Sequence, residues 1–200
     1  MRITDVSKLK GPLGELLNQL LGDNGDERPE ELNLWLKKVT VRILKFICEV
    51  RVNGTKKFVA ADAFGENNPD GIKFYLWGNF KDNFLGKVEE DVKSATIAIH
   101  RLEKPSRDHG IMAELGIDIK TKKGVIKLAH LYETIKAQAQ GQEGSLLVNG
   151  SNIAYIEDKN GKVWAVCAGW DSGGRFRCVS AGSVEGPVGW CGGGQVLSQV

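Results

Sequence analysis

No stretch of the chain approaches the ~18 consecutive apolar residues that a membrane-crossing helix needs, and charged side chains make up 26% of its 200 residues. The first residues, Met1-Arg2-Ile3-Thr4-Asp5, hold no uninterrupted apolar core, so no secretory leader is expected. A cytoplasmic protein without a membrane partner is the expectation, associated with the nucleoid if it binds DNA. Cysteine is scarce and scattered. Cys48, Cys167, Cys178 and Cys191 form no C-x-x-C pair, which argues against a zinc ribbon and leaves free thiols in a reducing cytosol. Histidine is scarcer, and His100 and His109 form no H-x-x-x-H pair, so neither is expected to serve a metal or acid-base site. There is no G-x-S-x-G, H-E-x-x-H or paired-carboxylate pattern, and the glycine-rich 186–194 lacks the Gly-Lys-Ser/Thr that ends a phosphate loop. No enzyme, metal or cofactor is expected.

What is present is an uneven charge. Residues 1–33 carry 4 basic and 7 acidic side chains, residues 34–127 carry 18 and 12, and residues 128–200 carry 5 and 6, within a net charge of +2. The middle segment therefore holds the positive charge, as a polyanion binder would. Within it, Gly71-Ile72-Lys73-Phe74-Tyr75-Leu76-Trp77-Gly78 alternates strictly. Ile72, Phe74 and Leu76 share one side of a strand; Lys73, Tyr75 and Trp77 share the other. A cation and two aromatics turned from the core suit a surface on which bases stack while phosphates are neutralised. The alternative is a strand buried on both faces, with Tyr75 and Trp77 as core aromatics.

The neighbours of that strand extend the pattern. Residues 38–44 alternate (KVTVRIL), Asn53-Gly54 marks a turn, residues 57–64 read as a second strand, and 65–71 as a loop containing Asn67-Asn68-Pro69. In this order and spacing, "KVTVRIL … VNGTKKFVAADAFGENNPDGIKFYLWGNF" resembles the OB-fold of archaeal-type single-stranded DNA-binding proteins and the related replication protein A modules, over residues 37–120. The resemblance implies a five-stranded barrel. Residues 79–86 would make the short helix after the third strand, 93–101 the fourth strand with Ala95, Ile97 and Ile99 inward, and 111–119 the fifth. It also implies single-stranded DNA binding in replication, repair or recombination. Bases would stack on Trp77 and Tyr75. Lys73, Arg42 and the loop carrying Arg101, Lys104, Arg107 and His109 would meet phosphates. That loop supplies cations where the family often supplies further aromatics. RNA remains an equal candidate ligand, since every base has a π-face.

Outside that region, Leu13, Leu16, Leu17, Leu20 and Leu21 mark a helix, followed by an acidic linker to residue 33. Basic residues 120–127 lead into a helix over 125–135, and 136–145 read as a polar hinge. Residues 146–200 read as a separate small β-meander. Asn160-Gly161 predicts a hairpin pairing Tyr155 with Val166 and Glu157 with Trp164. A second turn at 171–174 would place Cys167 opposite Cys178. One side of this meander would then show Tyr155, Trp164, Trp170, Arg175 and Arg177, a possible second nucleic-acid surface. The competing reading of the whole chain is a protein-interaction adaptor that works through residues 146–200. Oligomeric state is left open.

Overall fold

The structure is a computed structural model that describes residues 42–139, 142–170, 177–186 and 189–200. Its frame is a seven-stranded mixed sheet. The members are β1 (Leu44–Val52), β5 (Ala95–Leu102), β11 (Gln195–Gln199), β7 (Asn152–Glu157), β8 (Val163–Trp170), β9 (Arg177–Ser183) and β3 (Phe74–Leu76), in that spatial order. Neighbours run antiparallel except at β11/β7 and β9/β3, which are parallel. Two small antiparallel pairs stand apart: β2 (Thr55–Val59) with β4 (Val88–Val92), and β6 (Ser106–Arg107) with β10 (Gly189–Trp190). The protein is mainly β, as expected, but the sheet is open and does not close into a barrel. Nor do residues 146–200 make a separate meander. β11 pairs with β5, and β9 pairs with β3, so the last strands complete the sheet that the earlier ones begin.

Both faces of the sheet are covered. On one lie α1 (Ala60–Phe64), α2 (Gly78–Phe84), α4 (Leu128–Lys136) and the β2–β4 pair, around Phe64, Phe80, Phe84, Ile97, Ile99, Leu131, Ile135, Val166 and Leu197. On the other lies α3 (Asp108–Leu115), around Leu102, Ile111, Ile153, Tyr155 and Val196. The short helix after the ring-bearing strand is where the sequence places it, and Phe80 and Phe84 are fully buried and stacked at 5.0 Å. The expected helix over 125–135 starts three residues later, with Leu128, Leu131, Tyr132 and Ile135 inward.

Three expected elements differ. The second strand stops at Val59, and residues 60–64 turn into α1 because Ala60, Ala63 and Phe64 bury at i, i+3 and i+4, a helical spacing. The fifth strand is absent. Its first half is α3, with Ile111 inward and Gly116 closing it at φ 65°, a left-handed conformation suited to glycine. The hinge is tied down: the buried Gln138 amide accepts from Leu146 N (2.6 Å) and donates to the carbonyls of Gln142 and Leu146. The leucine-rich helix, the acidic linker, most of the opening strand 38–44 and the turn at 171–174 lie outside the described residues.

Candidate nucleic-acid interface

β3 is held from both ends before its rings are considered. Upstream, buried Asn68 organises the loop that precedes it. Its Oδ1 accepts the amides of Asp70 (3.2 Å) and Ile72 (3.0 Å), and its Nδ2 donates to the carbonyls of Gly65 and Ile72. Asp70 then fixes the loop to α4: it accepts from the Tyr132 hydroxyl (2.7 Å) and pairs with Lys136 (3.0 Å). The Tyr132 bond, helped by Lys136, holds the Asp70 carboxyl below its usual range. The bond from Lys136 to Asp70 in turn raises Lys136 above the ordinary lysine value. Downstream, Trp77 N donates to Val179 O (3.0 Å), and the Asn79 side chain bonds both backbone groups of Ala181, acting as one more peptide of the β3–β9 ladder.

On this support the alternation expected from sequence is present. Ile72 is buried and Phe74 and Leu76 are half-buried against the core, while Lys73 is exposed, Tyr75 is 62% exposed and Trp77 is 54% exposed. The two rings lie 6.3 Å apart at 89°. A base stacked on one therefore cannot be parallel to the other, and two successive bases using both must turn by a quarter. Among the described residues β3 is the last strand of its sheet, so the rings sit on a rim.

In comparisons with family models, curated proteins and solved structures, nothing matches this chain.

The remaining expected contacts are elsewhere. Arg101, next to last in β5, donates to Gly193 O (2.7 Å). Lys104, Arg107 and His109 follow it and are exposed, and exposed Arg42 precedes Ile43, whose carbonyl accepts from Glu103 N. One row of paired residues crosses the sheet from Leu76 through Val179, Ala168, Asn152 and Gln195 to Arg101. The two groups are thus level with each other, but five strand intervals of ~4.8 Å separate them by roughly 24 Å. Twist of ~20° per interval turns one edge well away from the other.

The second expected surface does not assemble. Tyr155 is fully buried and its hydroxyl donates to the buried carboxylate of Asp108 (2.8 Å), which also accepts from the Trp190 indole (2.7 Å). The cause is register. Asp158 spans the hairpin, its amide donating to Lys162 O and its carboxylate accepting from the amides of Asn160 and Lys162, so the connection is longer than two residues. Tyr155 consequently faces Ala165, and Trp164 faces Ile156 on the opposite side. Trp164 donates to Asp158 (2.9 Å) under the Lys162 ammonium, and Trp170 packs on the core. In the next pair Cys167 lies opposite Ser180 and Cys178 opposite Gly169, two residues from the expected register. Arg175 lies outside the described residues; Arg177 belongs to β9, opposite Trp170 and Phe74.

Among the described residues, no His, Cys, Asp and Glu side chains cluster closely enough to hold a metal ion. Sequence reasoning missed Phe46, 54% exposed at a bulge in β1, and the two asparagines that position β3. Asn68 sits in the loop where an inserted Asn-Asn-Pro was visible, and that insertion was the one signal available.

Proposed function

We propose that the chain binds single-stranded nucleic acid, in the first instance DNA, across the rim formed by Lys73, Tyr75 and Trp77. The observation that carries this reading is the pair of exposed rings beside a cation on a strand whose own loop and helix are fixed by buried hydrogen bonds. Stacking contributes roughly 1–3 kcal/mol per base and tolerates any sequence. A rigid strand supplies that surface without an ordering cost at binding. The OB-type barrel is a resemblance in residues 37–120 and is not needed for this reading; the segment 65–78 is. Bases stack on Trp77 and Tyr75, one ring each, and Lys73 meets the phosphate between them. Arg42, Arg101, Lys104, Arg107 and His109 belong to a second cationic group, which a longer strand reaches by crossing the sheet.

Anisotropy titration with labelled oligothymidine, oligouridine and duplex, at two salt concentrations, tests the reading. Single strands are expected to bind more tightly than duplex, and binding to weaken as salt rises because counterions are released. Equal affinity for duplex, or no salt dependence, would count against it. A second reading rests on the same rim: the outer edge of β3 is a site at which an extended peptide can add a strand. Binding of a protein partner that survives Trp77→Ala, with no affinity for single strands, would favour it.

A further inference from the structure

The basic run 120–127 takes no part in the ring-bearing rim. It borders a cleft of about 800 Å³ at the other side of the sheet, a volume typical of small-ligand sites. The floor is Ala98 and Ser198, paired across β5 and β11, whose small side chains leave the space open. Phe46 forms one wall and the turn after α3 forms another. That turn is rigid: Asp118 accepts from Lys120 N (2.8 Å) and the Thr121 hydroxyl (2.9 Å), and its amide donates to Lys123 O (3.0 Å).

The charges lining the cleft divide into engaged and available groups. Lys122 adopts φ 62°, uncommon for a lysine, and its ammonium is taken up by Gly161 O (2.7 Å) and Glu157 (3.6 Å). Glu114 accepts the amides of Ile43 (2.9 Å) and Leu44 (3.1 Å). Glu49, Lys123 and Lys127 are exposed on the lining, and Glu114, bonded only to neutral amides, keeps its charge, so two ammonium groups stand among two carboxylates, with Lys123 and Lys127 four residues apart on one wall. His100 completes the site. Its ring stands edge-on to Phe46 at 5.6 Å, and its Nδ1 is buried with no hydrogen-bond partner. Burial pulls the imidazole pKa down, against an opposing pull from Glu114, so the ring is neutral near pH 7. A buried Nδ1 without an acceptor favours the tautomer that carries its proton on Nε2.

We propose that this cleft is a nucleotide subsite, in which a base lies against Phe46 and accepts from His100 Nε2–H while the phosphate sits between Lys123 and Lys127. The chemistry required is a planar ring with an acceptor, joined to an anion. A free nucleoside monophosphate has it, and so has one nucleotide of a bound strand. The second source rests on the function proposed above: Phe46 and His100 pair in the row adjoining the one that ends at Leu76, and so lie level with Trp77 at the opposite end of the sheet, which only a longer strand spans.

The test titrates the full chain calorimetrically with thymidine monophosphate and with inorganic phosphate. The nucleotide should bind about tenfold more tightly than phosphate, the factor that one stacked base supplies. Phe46→Ala and the double variant Lys123→Ala/Lys127→Ala should each lose about tenfold. All these side chains are exposed, so the variants retain the fold. Equal affinity for phosphate and nucleotide, or indifference to the lysine double variant, overturns the proposal. Titration with oligothymidine separates the sources. If the lysine double variant weakens both ligands, the subsite belongs to the strand; if it weakens the monophosphate alone, the free nucleotide is the ligand. Loss of oligothymidine binding in Trp77→Ala with no cleft-dependent nucleotide binding would sink the subsite and leave the rim standing. The reverse pattern would sink the rim and leave the subsite.

Discussion

Trp77 and Tyr75 contribute little to the fold, because more than half of each lies in water. Trp77→Ala should therefore weaken oligothymidine binding by roughly 1–3 kcal/mol while the urea midpoint stays where it was; a comparable fall in stability would mark the indole as a core residue instead. Asn68 is the opposite case. Its side chain serves four backbone groups of one loop, and Asn68→Ala leaves several of them unpaired at about 1–3 kcal/mol of stability, measurable by urea denaturation. Asp158 adds a pH dependence. Burial works to raise its pKa, but the Trp164 indole and the amides of Lys162 and Asn160 outweigh it, and the folded value lies below the ordinary one. A depressed carboxylate stabilises the fold fully above the unfolded pKa and loses that contribution as pH falls through the folded value. Asp158→Asn should thus be less stable than the native chain at pH 7, and the gap should narrow by pH 3 in denaturation curves. The outward set Lys73, Tyr75 and Trp77 was legible in the sequence because period two needs no tertiary information. The burial of Tyr155 was not, because a single-residue change in hairpin length moves a side chain to the other face.

Among elements, the helices show where local pattern gave way to packing. Ala60-Ala61-Asp62-Ala63-Phe64 alternates weakly enough to pass for a strand, yet burying Ala60, Ala63 and Phe64 together requires a helix. β4 was invisible for a related reason: Val88-Glu89-Glu90-Asp91-Val92 is acidic, and its purpose lies in a distant partner. Glu89 is buried, accepts the amides of Leu128 (3.2 Å) and Ala129 (2.9 Å) at the start of α4, and pairs with Lys87 (3.4 Å). No propensity argument within residues 88–92 reveals a cap for a helix 39 positions later. Glu89→Ala takes the paired carboxylate from buried Lys87, which keeps only its contact with Asp158, and uncaps α4; it should cost about 3 kcal/mol in chemical denaturation, with α4 losing protection from hydrogen exchange. The separation of the two cationic groups leads to a different expectation. Reversing Arg101, Lys104 and Arg107 to glutamate should weaken long oligonucleotides and spare short ones, since a short strand on the β3 rim does not reach across some 24 Å of sheet. Equal weakening at every length would place those cations in the primary site.

At the scale of the molecule, residues Arg42–Val200 form one compact unit, and four of the seven strands of its sheet come from the segment after residue 146. Removing 146–200 takes away the partner of β3 and one partner of β5. The truncated chain should fail to give a cooperative unfolding transition, whereas a separable module would leave the transition intact. The mainly β character could be read from the sequence; the order of strands in the open sheet could not, because pairings such as β11 with β5 and β9 with β3 join segments about a hundred residues apart. What holds at every scale is a rim of exposed rings on a strand fixed by its neighbours. Photocrosslinking the full chain to an oligothymidine carrying bromodeoxyuridine, followed by mapping of the attached peptide, tests that rim most directly. Attachment at Tyr75 or Trp77 is the predicted result; attachment confined to peptides that exclude residues 73–77 would contradict it.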